Sequence, residues 1–229
     1  MPDHPTIYRT QAENYEALVS REDYHGNILP AIEKILPLSD RDVVELGAGT
    51  GRITCQLAPK VRSIRAFDIS QHMLDTAITK LKLSELSNWQ LQVADHRALP
   101  LADQCADLVI SGWSVCYIVV DHPQNWKEEL EKVLTEISRV LRPGGKMILI
   151  ETLGTGFVEP TPPDHLVKYY AWLIEKGFHH TWIRTDYRFE NIESAKKLSE
   201  FFFGMEMNQK IIMDANDVIL PECTGIWWK

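Results

Sequence analysis

Val43-Val44-Glu45-Leu46-Gly47-Ala48-Gly49-Thr50-Gly51 is the stretch on which the reading of this chain turns. An apolar strand ends in an acid and runs straight into three glycines on alternate positions. A Gly-x-Gly-x-Gly segment after a buried strand lets the backbone adopt dihedrals that side chains forbid, and lets a ligand reach the main chain without meeting a Cβ. Such a turn at the carboxyl end of the first strand of an open α/β sheet is where nucleotide-like ligands bind. A glycine-rich loop without a ligand has the same local composition, so the flanking sequence has to decide.

Outward from the turn, short β-branched runs alternate with amphipathic helical stretches, the pattern of a mostly parallel sheet covered on both faces. The expected strands are Asp42 to Leu46, Ser63 to Phe67, Trp89 to Ala94, Asp107 to Ser111 and Lys146 to Ile150. Ser70 is placed to cap a helix that carries Met73, Leu74, Ala77, Ile78 and Leu81 on one face. Asn125 with Glu128 reads as a capping box before a stripe of Trp126, Leu130, Leu134, Ile137 and Leu141, and Arg142-Pro143-Gly144-Gly145 reads as its stop.

Residues 1–40 read as a helical lid, with Tyr8, Tyr15, Tyr24 and His25 spread through it and too short to be a separate domain. Residues 41–152 form the expected cofactor-binding core, and residues 153–229 the rest of the sheet and the acceptor side. In that last part Gly154 to Pro163 reads as a loop and Asp164 as a helix cap. A strand near Thr181 to Phe189, a helix near Ile192 to Phe203, and strands at Gln209 to Met213 and Gly225 to Trp228 follow.

A chain of 229 residues with 45% hydrophobic content suits one α/β domain. Its 24 Lys and Arg against 32 Asp and Glu, a net charge of -8, disfavour a broad nucleic-acid surface. Cys55, Cys105, Cys116 and Cys223 lack the paired spacing of a zinc site and the density of a disulfide scaffold, so no metal is expected. With no secretory signal in MPDHPTIYRT and no apolar run long enough for a membrane span, the expected location is the cytoplasm.

Four features then stand in order at successive strand ends. They are Glu45 with its glycines, Asp68 in Phe67-Asp68-Ile69-Ser70, Asp95 followed by His96, and the strand that delivers Ser111, Gly112 and Trp113. An acid after the second strand is the usual partner of a ribose, since a carboxylate accepts from both hydroxyls at once. The conjunction resembles the class I S-adenosylmethionine-dependent methyltransferases, and more closely the small-molecule branch with the type-11 methyltransferase domain, over about Val43 to Glu151. The resemblance implies a Rossmann-like α/β fold: a seven-stranded, mostly parallel sheet with helices on both faces and an antiparallel last strand. It also implies S-adenosyl-L-methionine as cofactor. Glu45, Gly47, Ala48, Gly49 and Gly51 would hold its methionine and ribose part, Asp68 the ribose diol, and Ile69 and Met73 would lie alongside. Asp95 would meet the adenine amino group beside His96, with Ser111, Gly112 and Trp113 completing the site. Leu141 to Glu151 matches the family's helix turn and fifth strand, whereas Cys105 and Ala106 stand where an aromatic often precedes the acid of the fourth.

Methyl transfer from a sulfonium needs alignment and exclusion of water, and a base only where the acceptor must lose a proton. The favoured acceptor-side residues are Trp113 and Tyr117, then His122, with Tyr117 and His122 taken as the catalytic pair. Glu151, His179 and His180 are further candidates, and Tyr15, Tyr24 and His25 weaker ones. No Asn-Pro-Pro-Tyr, Asp-Pro-Pro-Tyr or Pro-Cys run suggests a nucleic-acid base as acceptor, so a small organic molecule is expected, with the protein a monomer or homodimer. Two rivals remain: a protein that binds the cofactor without catalysis, and an NAD(P)-dependent oxidoreductase. Against the second, a dinucleotide turn wants a glycine where Arg52 stands.

Overall fold

β1 (Asp42–Leu46) is the centre from which the sheet is built: Val43, Val44 and Leu46 are buried, as expected of a strand with helices on both faces. A computed structural model describes residues 3–229. The chain begins with α1 (His4–Thr10), α2 (Ala12–Val19) and α3 (Ile28–Ile35), then alternates β1, α4 (Arg52–Leu57), β2 (Ser63–Asp68), α5 (Gln71–Leu83) and β3 (Trp89–Val93). It continues through β4 (Ala106–Gly112), α6 (Tyr117–Asp121), α7 (Trp126–Val140), β5 (Leu141–Thr155), α8 (Val167–Glu175), β6 (His179–Arg184), β7 (Tyr187–Phe189), α9 (Ile192–Phe203), β8 (Ile212–Asp214), β9 (Asp217–Leu220) and β10 (Glu222–Trp228).

Among the described residues the main sheet has the order β3-β2-β1-β4-β5-β10-β6, and only β10 runs antiparallel to its neighbours. This is the seven-stranded, mostly parallel architecture with an antiparallel last strand that the sequence implied. The chain winds outward from β1 in both directions, so the carboxyl ends of β1 and β4 open the crevice that follows from a reversal of strand order. One face of the sheet buries Leu46, Val109 and Leu149 under α7 and α8, and the other buries Val43, Ile110 and Ile150 under α3 and α4. The expected faces form: Met73, Leu74, Ala77 and Leu81 of α5 are buried, and Ser70 caps that helix through the Met73 N–H.

Several local expectations fail for local reasons. Asn125 and Glu128 form no capping box, because the Asn125 amide donates to Glu129 instead. The helix does stop just before Arg142 to Gly145, at Val140, but these residues already belong to β5, where Arg142 pairs with Asp42 and Asp107. β5 also runs on to Thr155 into the expected loop, and Asp164 lies in a 3-10 turn without capping α8. The strand expected over Thr181 to Phe189 is two strands in different sheets, broken at Thr185 and Asp186, where Arg184 grips Asp186. Gln209 and Lys210 are in a 3-10 turn rather than a strand, and β9, which was not foreseen, joins β7 and β8 in a second, three-stranded sheet.

The helices before β1 dock on the carboxyl end of the sheet. Ser70 Oγ donates to the Tyr8 carbonyl, the Ala12 N–H to His72 Nε2, Lys80 pairs with Glu16, and Arg52 pairs with Glu22.

Candidate active site

The glycine turn is tied to β2 at its first step, where the Gly47 and Ala48 N–H groups both donate to the Phe67 carbonyl, at 2.7 and 2.9 Å. Gly47, Gly49 and Gly51 have φ of +70°, +54° and +81°, the left-handed region that a side chain disfavours. At Gly47 the need is also steric, since a Cβ there would lie 2.0 Å from Ser114 Oγ.

Asp68 closes the turn from the next strand. Its Oδ2 accepts from the Gly49 N–H and its Oδ1 from the Ser70 N–H, both at 2.8 Å, which fixes the plane of the carboxylate. A carboxylate offers about four lone-pair positions, so two are left for a ligand diol. Beside it Ile69 is 74% exposed, an apolar edge presented to whatever lies over Asp68. Burial raises the Asp68 carboxyl above its ordinary range, opposed by the backbone donors.

Glu45 is buried and accepts from Thr54 Oγ1 at 2.6 Å, and burial pushes its carboxyl up to about 8. His96 is pushed down to about 4 by burial, so its ring is neutral, and it lies 3.6 Å from where a Gly47 Cβ would be. Asp95 is committed elsewhere: both oxygens accept from the Arg97 guanidinium, which holds the acid at about 2.

Beyond the end of β4 the surroundings are aromatic and acidic. Trp113 has φ +51° and its ring carries the Arg52 guanidinium 3.7 Å from the centroid, while Arg52 pairs with the buried Glu22. The Tyr117 hydroxyl meets the Tyr8 hydroxyl of α1 at 2.5 Å, and Tyr15 packs edge-on to Tyr8. His122 is not with Tyr117 in this contact. It follows α6 and hydrogen-bonds Arg97 at 3.4 Å, in the ionic cluster of Asp95 and Glu129. His179 and His180 stack on Trp228 and Trp227 along the edge strand β6. Tyr24 and His25 stack on each other in the turn before α3.

Several buried oxygens near these strand ends have no hydrogen-bond partner: Thr50 Oγ1 in the turn, Ser111 Oγ at the end of β4, Glu151 Oε2 on β5 and Glu222 Oε2 on β10. Unpaired buried polar atoms are costly and mark a site that a ligand completes. The glycine cradle, the two-point anchorage of Asp68 and these orphaned oxygens together fit a nucleoside bearing an amino-acid arm.

Sequence reasoning missed Glu22, Arg52, Ser114 and Glu222. Only Arg52 carried a signal: a cation in the first turn of a helix opposes the helix dipole and needs an acid close by.

Residues 44–149 match the model of a family described as "Methyltransferase domain". Over these residues the chain is similar to a methyltransferase domain. Curated relatives agree: the malonyl-[acyl-carrier protein] O-methyltransferase of Hahella chejuensis is 31% identical over 145 residues, covering 60% of this chain and 47% of that protein. An uncharacterized protein of Escherichia coli, YafE, is 31% identical over 110 residues, covering 48% of this chain and 49% of its own. The chain thus spans about half the length of these relatives. Among solved structures, the Haemonchus contortus phosphoethanolamine N-methyltransferase 2 in complex with S-adenosyl-L-methionine superposes with a TM-score of 0.63 at 16% identity, covering 98% of this chain and 58% of that one. That likeness establishes the fold alone. The matched residues contain the glycine turn, Asp68, Asp95 and the end of β4, while Glu22, Glu151 and Glu222 lie outside them.

Proposed function

We propose that the protein transfers a methyl group from S-adenosylmethionine to a small organic acceptor by in-line displacement. The observation that carries this is Asp68, held by the Gly49 and Ser70 N–H groups at the end of β2 with acceptor positions to spare for a ribose diol. S-adenosylmethionine, when bound, supplies an electrophilic methyl on a positive sulfur. Glu45, Gly47, Ala48, Gly49 and Gly51 are assigned to its methionine and ribose part. Ile69, Met73 and His96 are assigned to the adenine side, with Asp95 orienting that edge through Arg97. Ser111, Gly112 and Trp113 form the floor at the methyl end.

The chain's own contribution is positioning. Tyr117 and Tyr8 join the floor to the N-terminal lid, and such closure excludes water and aligns the reacting atoms. We assign Tyr117 to the acceptor wall in preference to His122, because it is the one that meets the lid. By their names the similar proteins act on acceptors as different as malonyl-[acyl-carrier protein] and phosphoethanolamine, so none is carried over. Four free cysteines fit a reducing compartment such as the cytoplasm. Among the described residues no helix is long and apolar enough to cross a membrane.

Replacing Asp68 by Ala is expected to weaken S-adenosylhomocysteine binding by about 1–3 kcal/mol in titration calorimetry. Unchanged affinity in a folded variant would refute the ribose role. Transfer of label from methyl-labelled donor to any small acceptor disposes of the non-catalytic reading.

A further inference from the structure

We propose that the acceptor is an amine and that Glu151 takes the proton its ammonium form gives up. The inference rests on the methyltransferase reading and adds the substrate class and the base.

Glu151 lies on β5 one residue past Ile150, which pairs with Gly112, so it reaches the same end of the sheet as Trp113. It is fully buried. One oxygen, Oε1, is fixed by the Cys116 N–H at 3.0 Å and the Tyr169 hydroxyl at 3.2 Å. The other, Oε2, is buried without any partner. Among the described residues no Lys or Arg pairs with Glu151. A carboxyl that is oriented on one side, open on the other and free of a neutralising cation is poor structural material and good proton-accepting material.

Its neighbours point to the kind of acceptor. Ser111 Oγ at the end of β4 is a second orphaned oxygen at this end of the sheet. The Arg52 guanidinium is engaged by Glu22 and stacked on Trp113 and does not pair with Glu151. A carboxylate or thiolate acceptor would meet the Glu151 carboxyl with no cation to balance it. An ammonium ion would meet the open Oε2 of Glu151 and the aromatic wall of Tyr8, Tyr15 and Tyr117, which favours cations.

The chemistry balances. Glu151 Oε2 receives a proton from the ammonium, and the freed nitrogen lone pair forms the new N–C bond as the donor C–S bond breaks, its electron pair staying on sulfur. Burial pushes Glu151 up to about 7, which brings it closer to an alkylammonium, whose proton leaves near pH ~10. The titratable groups packed on it are Cys116 and Tyr117 at the start of α6 and Tyr169 and Tyr170 on α8. All are raised by burial, so none acquires charge near neutrality.

The test uses the whole chain with methyl-labelled S-adenosylmethionine and matched sets of primary amines, alcohols and carboxylates of the same carbon skeletons. Label should enter the amines. Glu151→Gln should bind S-adenosylhomocysteine as the wild type does by calorimetry, yet transfer at least 100-fold more slowly at pH 7. Its rate should climb with pH as free amine accumulates, and Glu151→Asp should restore part of the loss. Label in alcohols or carboxylates, label in none of the amines, or an unaltered rate and pH profile in Glu151→Gln would each overturn the proposal. If Glu151→Gln does not fold, the wild-type profile decides: a rate limb near pH 7 supports the assignment and its absence overturns it. Failure of the wild type to bind S-adenosylhomocysteine would instead sink the methyltransferase reading itself.

Discussion

At the glycine turn, positions alike in sequence are constrained differently. A Cβ on Gly47 would collide with Ser114, whereas one on Gly49 would have Met73 Cε as its nearest atom, at 3.6 Å. Gly49→Ala is therefore expected to meet only the cost of a left-handed residue, about 1–2 kcal/mol, while losing the close approach a ligand needs. Gly47→Ala should unfold at markedly lower temperature. Thermal melts with S-adenosylhomocysteine titrations check both, and equal losses of stability would contradict the steric distinction. The glycines and Asp68 were legible because each fills a role few residue types can fill, either a positive φ or an acid at a strand end that two backbone N–H groups hold in place. Glu22 and Glu222 were not, because a buried acid far from any motif looks like a surface acid until its partners are known.

At the scale of elements, β1 to β4 and α5 could be read from pattern because their burial follows sequence period directly. The region after Glu151 was harder. There Arg184, Asp186 and Thr185 turn one apparent strand into two, and β8, three residues long and exposed throughout, offers no periodicity. The lid also depends on contacts distant in sequence, chiefly Glu22 to Arg52, with side-chain exposures of 2% and 14%. Removing one member of such a buried pair leaves the other uncompensated, so Glu22→Ala should cost about 3–5 kcal/mol in denaturant unfolding. Arg52→Met with Glu22→Leu should recover much of it. A loss below ~1 kcal/mol in the single variant would show that the pair does not hold the lid.

For the whole molecule, the buried acids set the direction of the pH response. Glu45, Glu151 and Glu222 are raised from 4.5 to about 8, 7 and 8, so between those values and 4.5 the folded chain holds protons that the unfolded chain has released. Their contribution to stability is full below 4.5 and is lost as pH rises through 7 to 8. His96, lowered from 6.5 to about 4, acts oppositely, its contribution being lost as pH falls through that interval. The ligand-free melting temperature should thus rise as pH is lowered from about 8.5 to 6.5 and go on rising, less steeply, towards pH ~5, where His96 offsets only part of the effect of the three carboxyls. A melting temperature that climbs steadily from pH 6.5 to 8.5 would show that these carboxyls are not buried as described.

The account turns on what the glycine turn and Asp68 were built to hold, and titration calorimetry on the intact chain asks this directly. S-adenosylhomocysteine should bind with a dissociation constant at least 100-fold below that of NAD. Equal affinities, or tighter binding of NAD, would contradict the account.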